Sequence, residues 1–312
     1  MATSGFTSEL FDLYAPDKWA SNVHNLKRMQ AKTALLALVD VATTSFQGSL
    51  IGLQRGSSDE IPNINNQKKV DAQWIYWYRD AAGRDAIASF LDKTSLDKLT
   101  IFNIAPTDKH VTLAIIVRQN GVDVQVRVPP GAIVDQRNLA AKIDRSWDRQ
   151  QLEKLLADLL PDARIGFENN PIACTELSIE VLTDMASETR NSKATWSVGY
   201  HLARENALEL GGEIGTTLSA MVDSLLPLYR YIAWTRDNDA IEVTKHLQEE
   251  KAQKRKNSTQ FQPGDKVRIV TGLFRGKTGV VQETDTKAQV KVNVGAMSVV
   301  VAGGDLAPAS AG

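Results

Sequence analysis

The sequence reads Phe261-Gln-Pro-Gly-Asp-Lys-Val-Arg-Ile-Val-Thr-Gly-Leu-Phe-Arg-Gly-Lys-Thr-Gly-Val-Val281 near its C-terminal end. After a Pro-Gly-Asp turn, Val267 and Ile269 alternate with two cations, Lys266 and Arg268. Alternation with a period of two is typical of a strand that buries one face. A loop with two glycines, a phenylalanine and two cations follows, and then a second β-branched run begins. The stretch therefore predicts two strands joined by a tight basic loop.

The glycines and β-branched residues follow the pattern Gly264-Asp265-x-Val267-x-Ile269-x-x-Gly272-x-x-Arg275-Gly276-x-x-Gly279-x-Val281. This pattern resembles a KOW motif, found in the C-terminal domain of NusG-type transcription elongation factors, in a large-subunit ribosomal protein and in related RNA-associated factors. The resemblance implies a small five-stranded SH3-like barrel over residues 261–307. In NusG-type barrels a turn with an aromatic residue and an arginine contacts protein partners. Residues 294–299 contain neither type here, so the resemblance does not extend to those contacts, and no NusG-type N-terminal domain is recognised.

The composition is that of an ordinary globular protein: 312 residues, 43% hydrophobic and 23% charged. The most apolar window, residues 34–39, is far too short to span a bilayer, and no basic-then-apolar leader opens the chain. A single cysteine, Cys174, excludes an internal disulfide and favours a reducing compartment. We therefore expect a cytoplasmic protein without membrane contact.

Charge is distributed unevenly along the chain. Residues 245–312 contain eleven Lys or Arg and six Asp or Glu, a balance of +5. Because the whole chain carries −1, residues 1–244 carry −6. An acidic body with a basic tail indicates that the tail meets any polyanion, although a solvated helix end explains the cations of residues 251–256 equally well.

Periodicity predicts an α+β body over residues 1–236, with an antiparallel sheet and long helices. Residues 18–46 form a predicted helix capped by Asp17, residues 48–66 a loop, and residues 68–92 a second helix. Within the second helix, alternation in the run Trp74–Tyr78 would equally suit a strand. We interpret its aromatic residues as core rather than as a platform for bases.

The next signals are a hairpin around Asn120-Gly121, which predicts a type I′ turn, and a helix cap at Asp135. Two helices are then predicted, through Ile143 and around Leu152–Leu159. Three short strands should follow, and a long helix should begin at Asn206. The three strands are predicted at residues 164–168, 176–182 and 195–202. A basic helix and linker are predicted at residues 237–260, and a tail at residues 308–312.

The candidate contacts to nucleic acid or another partner are basic residues and one ring in and before the tight loop. A planar ring beside cations suits bases and phosphates. These candidates are Phe274, Arg275 and Lys277 in the loop, Lys266 and Arg268 on the strand before it, and Lys254, Arg255 and Lys256 on the preceding helix. Gly272, Gly276 and Gly279 are predicted to be structural, where a side chain would clash or φ is positive.

The sequence indicates no catalytic residue, metal site or cofactor. His201 and Glu205 lie four apart but lack a recognisable metal motif, so we interpret His201 as a surface histidine. Glu176 and Glu180 would share one face of a strand and, with Asp184, offer an acidic edge for Mg²⁺. The prediction is a non-enzymatic protein that docks on RNA, a ribonucleoprotein such as the ribosome, or the transcription machinery. The alternatives are a metal-dependent, nuclease-like enzyme that the barrel delivers to nucleic acid, and a protein-interaction adaptor.

Overall fold

The computed structural model describes residues 5–44, 49–88, 105–168, 170–189, 194–242, 261–270, 274–284, 289–295 and 297–309. The chain divides into two compact units, Met1–Ile241 and Glu242–Gly312, called unit 1 and unit 2. The predicted fold class is confirmed: unit 1 combines helices with an antiparallel sheet, and unit 2 is a small all-β unit. In this described part of the chain, no helix is long and apolar enough to cross a membrane.

Unit 1 is built on a seven-stranded sheet in which every neighbouring pair is antiparallel. Its strand order is β1-β2-β3-β4-β7-β5-β6. The strands are β1 (Leu53–Ser57), β2 (Gln73–Arg79), β3 (Thr112–Arg118), β4 (Gly121–Val128), β5 (Arg164–Phe167), β6 (Ile172–Ala173) and β7 (Trp196–Ala203).

Helices of unit 1 cover one face of this sheet, and α9 packs against α2, β3 and β4. The helices are α1 (Ser8–Asp12), α2 (Asn25–Ala42), α3 (Ala81–Ala88), α4 (Pro106–Lys109), α5 (Ile133–Asp144), α6 (Ser146–Ala157), α7 (Ile179–Thr189), α8 (Arg204–Glu209) and α9 (Ile214–Ile232). Short 3-10 turns occur at Asn22–His24, Cys174–Glu176 and Gly211–Glu213.

Alternation along β4 divides the two faces of the sheet. Val122, Val124 and Val126 are buried in the main core, together with their partners on β3 and with Val198 and Tyr200 on β7. The opposite face carries Asp123 and Arg127 on the same strand. This second face also holds a smaller apolar cluster, formed by Ala72, Tyr76, Tyr78, Ala114 and Ile116. Both sheet faces are therefore lined by buried side chains, as the aromatic run Trp74–Tyr78 indicated.

The predictions for the first third of the body were partly wrong. Residues 73–79 form strand β2 instead of a helix, and β1 lies inside the predicted loop. Helix α2 begins at Asn25 rather than at residue 18. The physical reason is Arg28, whose buried guanidinium donates to the backbone carbonyls of Lys18 and Ser21 and holds the preceding segment as turns.

Three further predictions are corrected. Residues 176–182 are not a strand, because helix α7 begins at Ile179. The helix predicted from Asn206 is interrupted at Gly211, whose φ of +48° breaks the helical path before α9 begins. Asp135 does not cap α5, which begins after Ala132; its carboxylate pairs with Arg79 instead.

The hairpin of β3 and β4 is confirmed, but its predicted turn type is wrong. Gly121 pairs with Arg118 as a strand residue. Asn120 lacks the positive φ that a type I′ turn requires. The predicted strands at residues 164–168 and 195–202 correspond to β5 and β7, and the predicted helix around Leu152–Leu159 corresponds to α6.

Unit 2 is a five-stranded antiparallel sheet of order β11-β10-β9-β8-β12. Its small core consists of alternating inward side chains together with Phe261, and it includes Val267, Ile269, Val281, Val290, Val292 and Leu306. The strands are β8 (Lys266–Ile269), β9 (Thr278–Thr284), β10 (Gln289–Val294), β11 (Met297–Ala302) and β12 (Leu306–Pro308). The basic helix and linker predicted at residues 237–260 are not confirmed at their start, because residues 237–242 form turns and a bridge rather than a helix; residues 243–260 lie outside the described residues.

Candidate nucleic-acid interface

Strand β8 presents two cations on one face. Lys266 and Arg268 are exposed, while Val267 and Ile269 are buried in the core of unit 2. Two residues along a strand span about 6.6 Å, so both cations emerge from the same side of the sheet at that spacing. The outward orientation of the two side chains is fixed by their alternation with buried residues. If either cation pointed inward, it would place a charge in a small apolar core.

The turn after β8 carries the next two cations. Ile269 accepts a hydrogen bond from the amide of Gly276 at 2.7 Å and donates to the carbonyl of Lys277 at 2.9 Å. Gly276 has a φ of +84°, a conformation that side chains other than glycine's rarely adopt. Arg275 and Lys277, on either side of this glycine, are both exposed. The turn therefore holds both cations at the surface, with its backbone next to the end of β8.

Gly279 permits the close approach of β9 and β10. A Cβ atom at this position would lie 2.5 Å from the carbonyl oxygen of Asn293 and 2.5 Å from Cγ1 of Val292. Real carbon atoms do not approach so closely, so this position requires glycine. Gly276 and Gly279 thus have structural roles: they allow the backbone conformation of the turn and the close packing of the strands.

We call Lys266, Arg268, Arg275 and Lys277 the basic patch. None of its members forms an ion pair with another residue in the described parts of the chain. A fifth exposed cation, Lys291 on β10, was not predicted as a contact. It lies directly opposite the exposed Glu283 across the β9–β10 ladder, so its charge is partly offset and we leave it outside the basic patch.

Phe274 does not have the exposed position that the sequence suggested. Its ring is half-buried and packs against the core of unit 2. The remaining predicted residues, Lys254, Arg255, Lys256 and Gly272, lie outside the described residues. Of the predicted contact residues, the structure therefore leaves four cations exposed on β8 and in the turn after it, and half-buries the ring.

Unit 1 contains a charged cluster that sequence reasoning missed. His201 Nδ1 lies 2.7 Å from Asp123 Oδ1, and Arg118 Nε donates to the other carboxylate oxygen at 3.2 Å. The hydrogen bond to Asp123 raises the pKa of His201, while partial burial opposes the shift. The signal available in the sequence was the alternation of polar and apolar residues along β4, which puts Asp123 on the face opposite the valine core.

The acidic residues considered for Mg²⁺ do not form the predicted edge. Glu176 lies in a 3-10 turn, whereas Glu180 and Asp184 lie on α7, and all three are exposed. Among the described residues, no group of three or more His, Cys, Asp or Glu side chains could hold a metal ion.

A cavity of about 730 Å³ opens in unit 1 at the ends of β2 and α9. Its walls are mainly apolar, and the charges that line it balance: Arg230 and Arg236 against Asp80 and Asp85, with Arg79 paired to Asp135. Such a lining offers no net attraction to a polyanion. The basic patch of unit 2 is therefore the better candidate interface.

Neither a scan against models of known protein families nor a search of the curated proteins gives a match to this chain.

Proposed function

We propose that unit 2 is a KOW-type module that docks this protein on RNA, either free or within a ribonucleoprotein such as the ribosome or the transcription machinery. In this proposal the chain acts in the cytoplasm as a binding protein rather than as an enzyme. The observation that carries the proposal is the basic patch: four exposed cations without ion-pair partners among the described residues.

Phosphate groups are the natural partners of such a patch. Cations that are already paired lose part of their attraction for a ligand, whereas Lys266, Arg268, Arg275 and Lys277 keep theirs. A cation that contacts a phosphate releases a condensed counterion from the nucleic acid, so affinity falls as salt rises. The residues that form the patch are also those of the KOW-like segment, where the glycines hold the strands and the turn.

The test is a binding titration of the full chain with RNA at two salt concentrations. The double substitution Arg275→Ala/Lys277→Ala should weaken binding at low salt. It should also reduce the slope of log affinity against log salt by about 1.4 to 1.8, the value for two lost phosphate contacts. A matched control, Arg137→Ala/Lys154→Ala, removes two exposed cations from unit 1 and should leave both quantities unchanged.

Equal, salt-independent binding by the intact protein and the patch variant would contradict the proposal, as would the absence of RNA binding.

A specific observation supports the adaptor as the second candidate function. Val280, Met297 and Val300 of unit 2 are exposed apolar side chains, with Val300 62% exposed, and exposed apolar groups of this kind occur at protein interfaces. Affinity purification with and without nuclease separates the two functions. Partners that remain bound after nuclease treatment support the adaptor, and partners that are lost support docking on RNA.

A further inference from the structure

We infer that the basic patch contacts the backbone of helical, double-stranded RNA rather than the unstacked bases of a single strand. This inference rests on the proposed function and adds the class of RNA. Two observations support it: the positions of the aromatic residues of unit 2, and the polar side chains on the outer face of strands β9 to β11.

The two phenylalanines of unit 2 are poorly placed to stack on a base. Residues 242–312 contain two aromatic residues, Phe261 and Phe274. Phe261 is buried in the core of unit 2, and Phe274 packs against the same core. Proteins that hold single strands stack successive bases on aromatic side chains, and this stacking supplies much of their affinity. With one ring buried and the other half-buried, these phenylalanines offer little surface for unstacked bases.

A row of one exposed valine and two polar side chains extends the outer face away from Lys266. The ladder pairs Lys266 with Val280, Val280 with Asn293, and Asn293 with Ser298, and directly opposed residues share one face of a sheet. Adjacent strands lie about 4.8 Å apart, so this row extends roughly 14 Å from the lysine to the serine. The row therefore has the cation of Lys266 at one end, and the amide of Asn293 and the hydroxyl of Ser298 at the other.

The amide and hydroxyl groups at the end of the row are held in place by each other. The hydroxyl of Ser298 lies 3.0 Å from Oδ1 of Asn293 and 3.0 Å from Oε1 of Gln282. The hydroxyl has one proton and donates it to either amide oxygen, and both amide NH₂ groups remain as donors. Double-stranded RNA displays 2′-hydroxyl groups and phosphates across a wide, shallow minor groove, and proteins recognise it through those groups. The row and the basic patch together supply donors for both.

Arg268 and Arg275 could contact bases as well as phosphates, because a guanidinium plane can also stack on a base. Replacement by lysine keeps the charge and removes the plane. The double variant Arg268→Lys/Arg275→Lys therefore distinguishes contact with phosphates from stacking. If the backbone is the ligand, this variant should retain most of its affinity for duplex RNA, whereas Arg268→Ala/Arg275→Ala should lose it.

The experiment uses the full chain and four probes: a 20-base-pair RNA duplex of mixed sequence, a second duplex of unrelated sequence, one isolated strand free of self-pairing, and the DNA duplex of the first sequence. We expect the two RNA duplexes to bind within about threefold of each other, because backbone contacts carry no sequence information. The single strand should bind at least about tenfold more weakly, because the phenylalanines of unit 2 are poorly placed to stack on its bases. The DNA duplex should also bind more weakly, because it lacks the 2′-hydroxyl.

The Ser298→Ala/Asn293→Ala variant should reduce the preference for RNA duplex over DNA duplex while leaving the salt dependence unchanged. A single strand that binds as tightly as the duplex, with the same dependence on the basic patch, overturns this inference and leaves the proposed function intact. Loss of duplex binding in the arginine-to-lysine variant also overturns it. Failure of every probe to bind contradicts the proposed function itself.

Discussion

Arg79 and Asp135 lie 56 residues apart in the sequence and form a buried ion pair, with 2.5 Å between Nη2 of the arginine and Oδ1 of the carboxylate. The same carboxylate oxygen accepts a hydrogen bond from the backbone amide of Trp234 at 2.8 Å. One aspartate therefore joins the end of β2, the first turn of α5 and the segment after α9.

Removal of Asp135 should destabilise unit 1 strongly. Asp135→Ala leaves a buried guanidinium without its counter-charge, which costs about 3 to 5 kcal/mol of unfolding free energy. Urea unfolding followed by tryptophan fluorescence measures this loss in unit 1, because all six tryptophans of the chain lie there. Asp40→Ala, which breaks an exposed pair with Arg55, is the control and should cost less than about 1 kcal/mol. Similar losses in both variants would contradict this account.

His110 should make unit 1 less stable in acid. Burial, and then the nearby positive charges of Arg79 and Arg84, lower the pKa of His110 to about 3. Because the unfolded histidine titrates near 6.5, protonation below that pH favours the unfolded state. This one group should cost about 1.4 kcal/mol per pH unit as pH falls from 6.5 towards 3. Urea unfolding of His110→Gln at several pH values should show a shallower loss of stability than the parent protein.

His201 should affect the pH dependence of stability in the opposite direction from His110. Its pKa is raised, first by the hydrogen bond to Asp123, so its protonated form favours the folded state. That contribution is fully present below pH 6.5 and is lost as pH rises through the folded-state pKa. His201→Asn should therefore destabilise unit 1 more at pH 5 than at pH 9. The same pH dependence in both histidine variants would contradict the two assignments.

Alanine at Gly279 should destabilise unit 2 more than alanine at a neighbouring exposed position. The new Cβ would overlap the carbonyl of Asn293, and such overpacking costs about 1 to 3 kcal/mol. Thr278→Ala, on the outer face of the same strand, should change stability by no more than about 0.5 kcal/mol. Amide hydrogen exchange of the peptides covering β9 and β10 measures both. Equal protection in the two variants would show that the close approach does not matter.

Arg268 and Lys291 should differ in their effect on RNA binding although both are exposed cations of unit 2. Arg268 has no ion-pair partner among the described residues, whereas Lys291 lies opposite Glu283. Arg268→Ala should lower the salt slope by about 0.7 to 0.9, the value for one phosphate contact. Lys291→Ala should change it by much less. A larger effect at Lys291 would place the contact on β10 instead of on β8 and the turn after it.

Cys174 should react slowly with thiol reagents in the folded protein. Burial raises its pKa to about 11, so at pH 8 its reactive thiolate should be on the order of a hundredfold less abundant than that of a free cysteine. Since the chain has one cysteine, the release of the chromophore from a disulfide reagent reports this residue alone. The rate should rise to that of a free thiol in denaturant. An equally fast reaction in the folded state would contradict the assigned burial.

Periodicity located the strands in which polar and apolar residues alternate regularly and failed where that alternation is lacking. The alternation of Val122, Val124 and Val126 located β4, and that of Val267 and Ile269 located β8. Strand β2 has large apolar residues on both faces without polar ones between them, so its run suits a helix as well as a strand. Helix α7 was mistaken for a strand because periodicity in so short a segment is ambiguous.

The candidate interface was also predicted only in part from the sequence. Its four cations were named from the sequence, because a local motif places them on one strand and in the turn after it. The half-buried position of Phe274 depends on contacts with a core assembled from other strands, which no local pattern contains.

The sequence by itself determined the α+β class, the hairpin of β3 and β4, and the β8–β9 segment with its cations, because each follows from neighbours in the chain. Tertiary structure alone decided that Asp135 meets Arg79, that Asp123 meets His201, and that Lys291 faces Glu283. Each of these pairs joins residues on different elements. Their contact depends on the order and register of strands and on helix packing, which single-sequence periodicity does not specify.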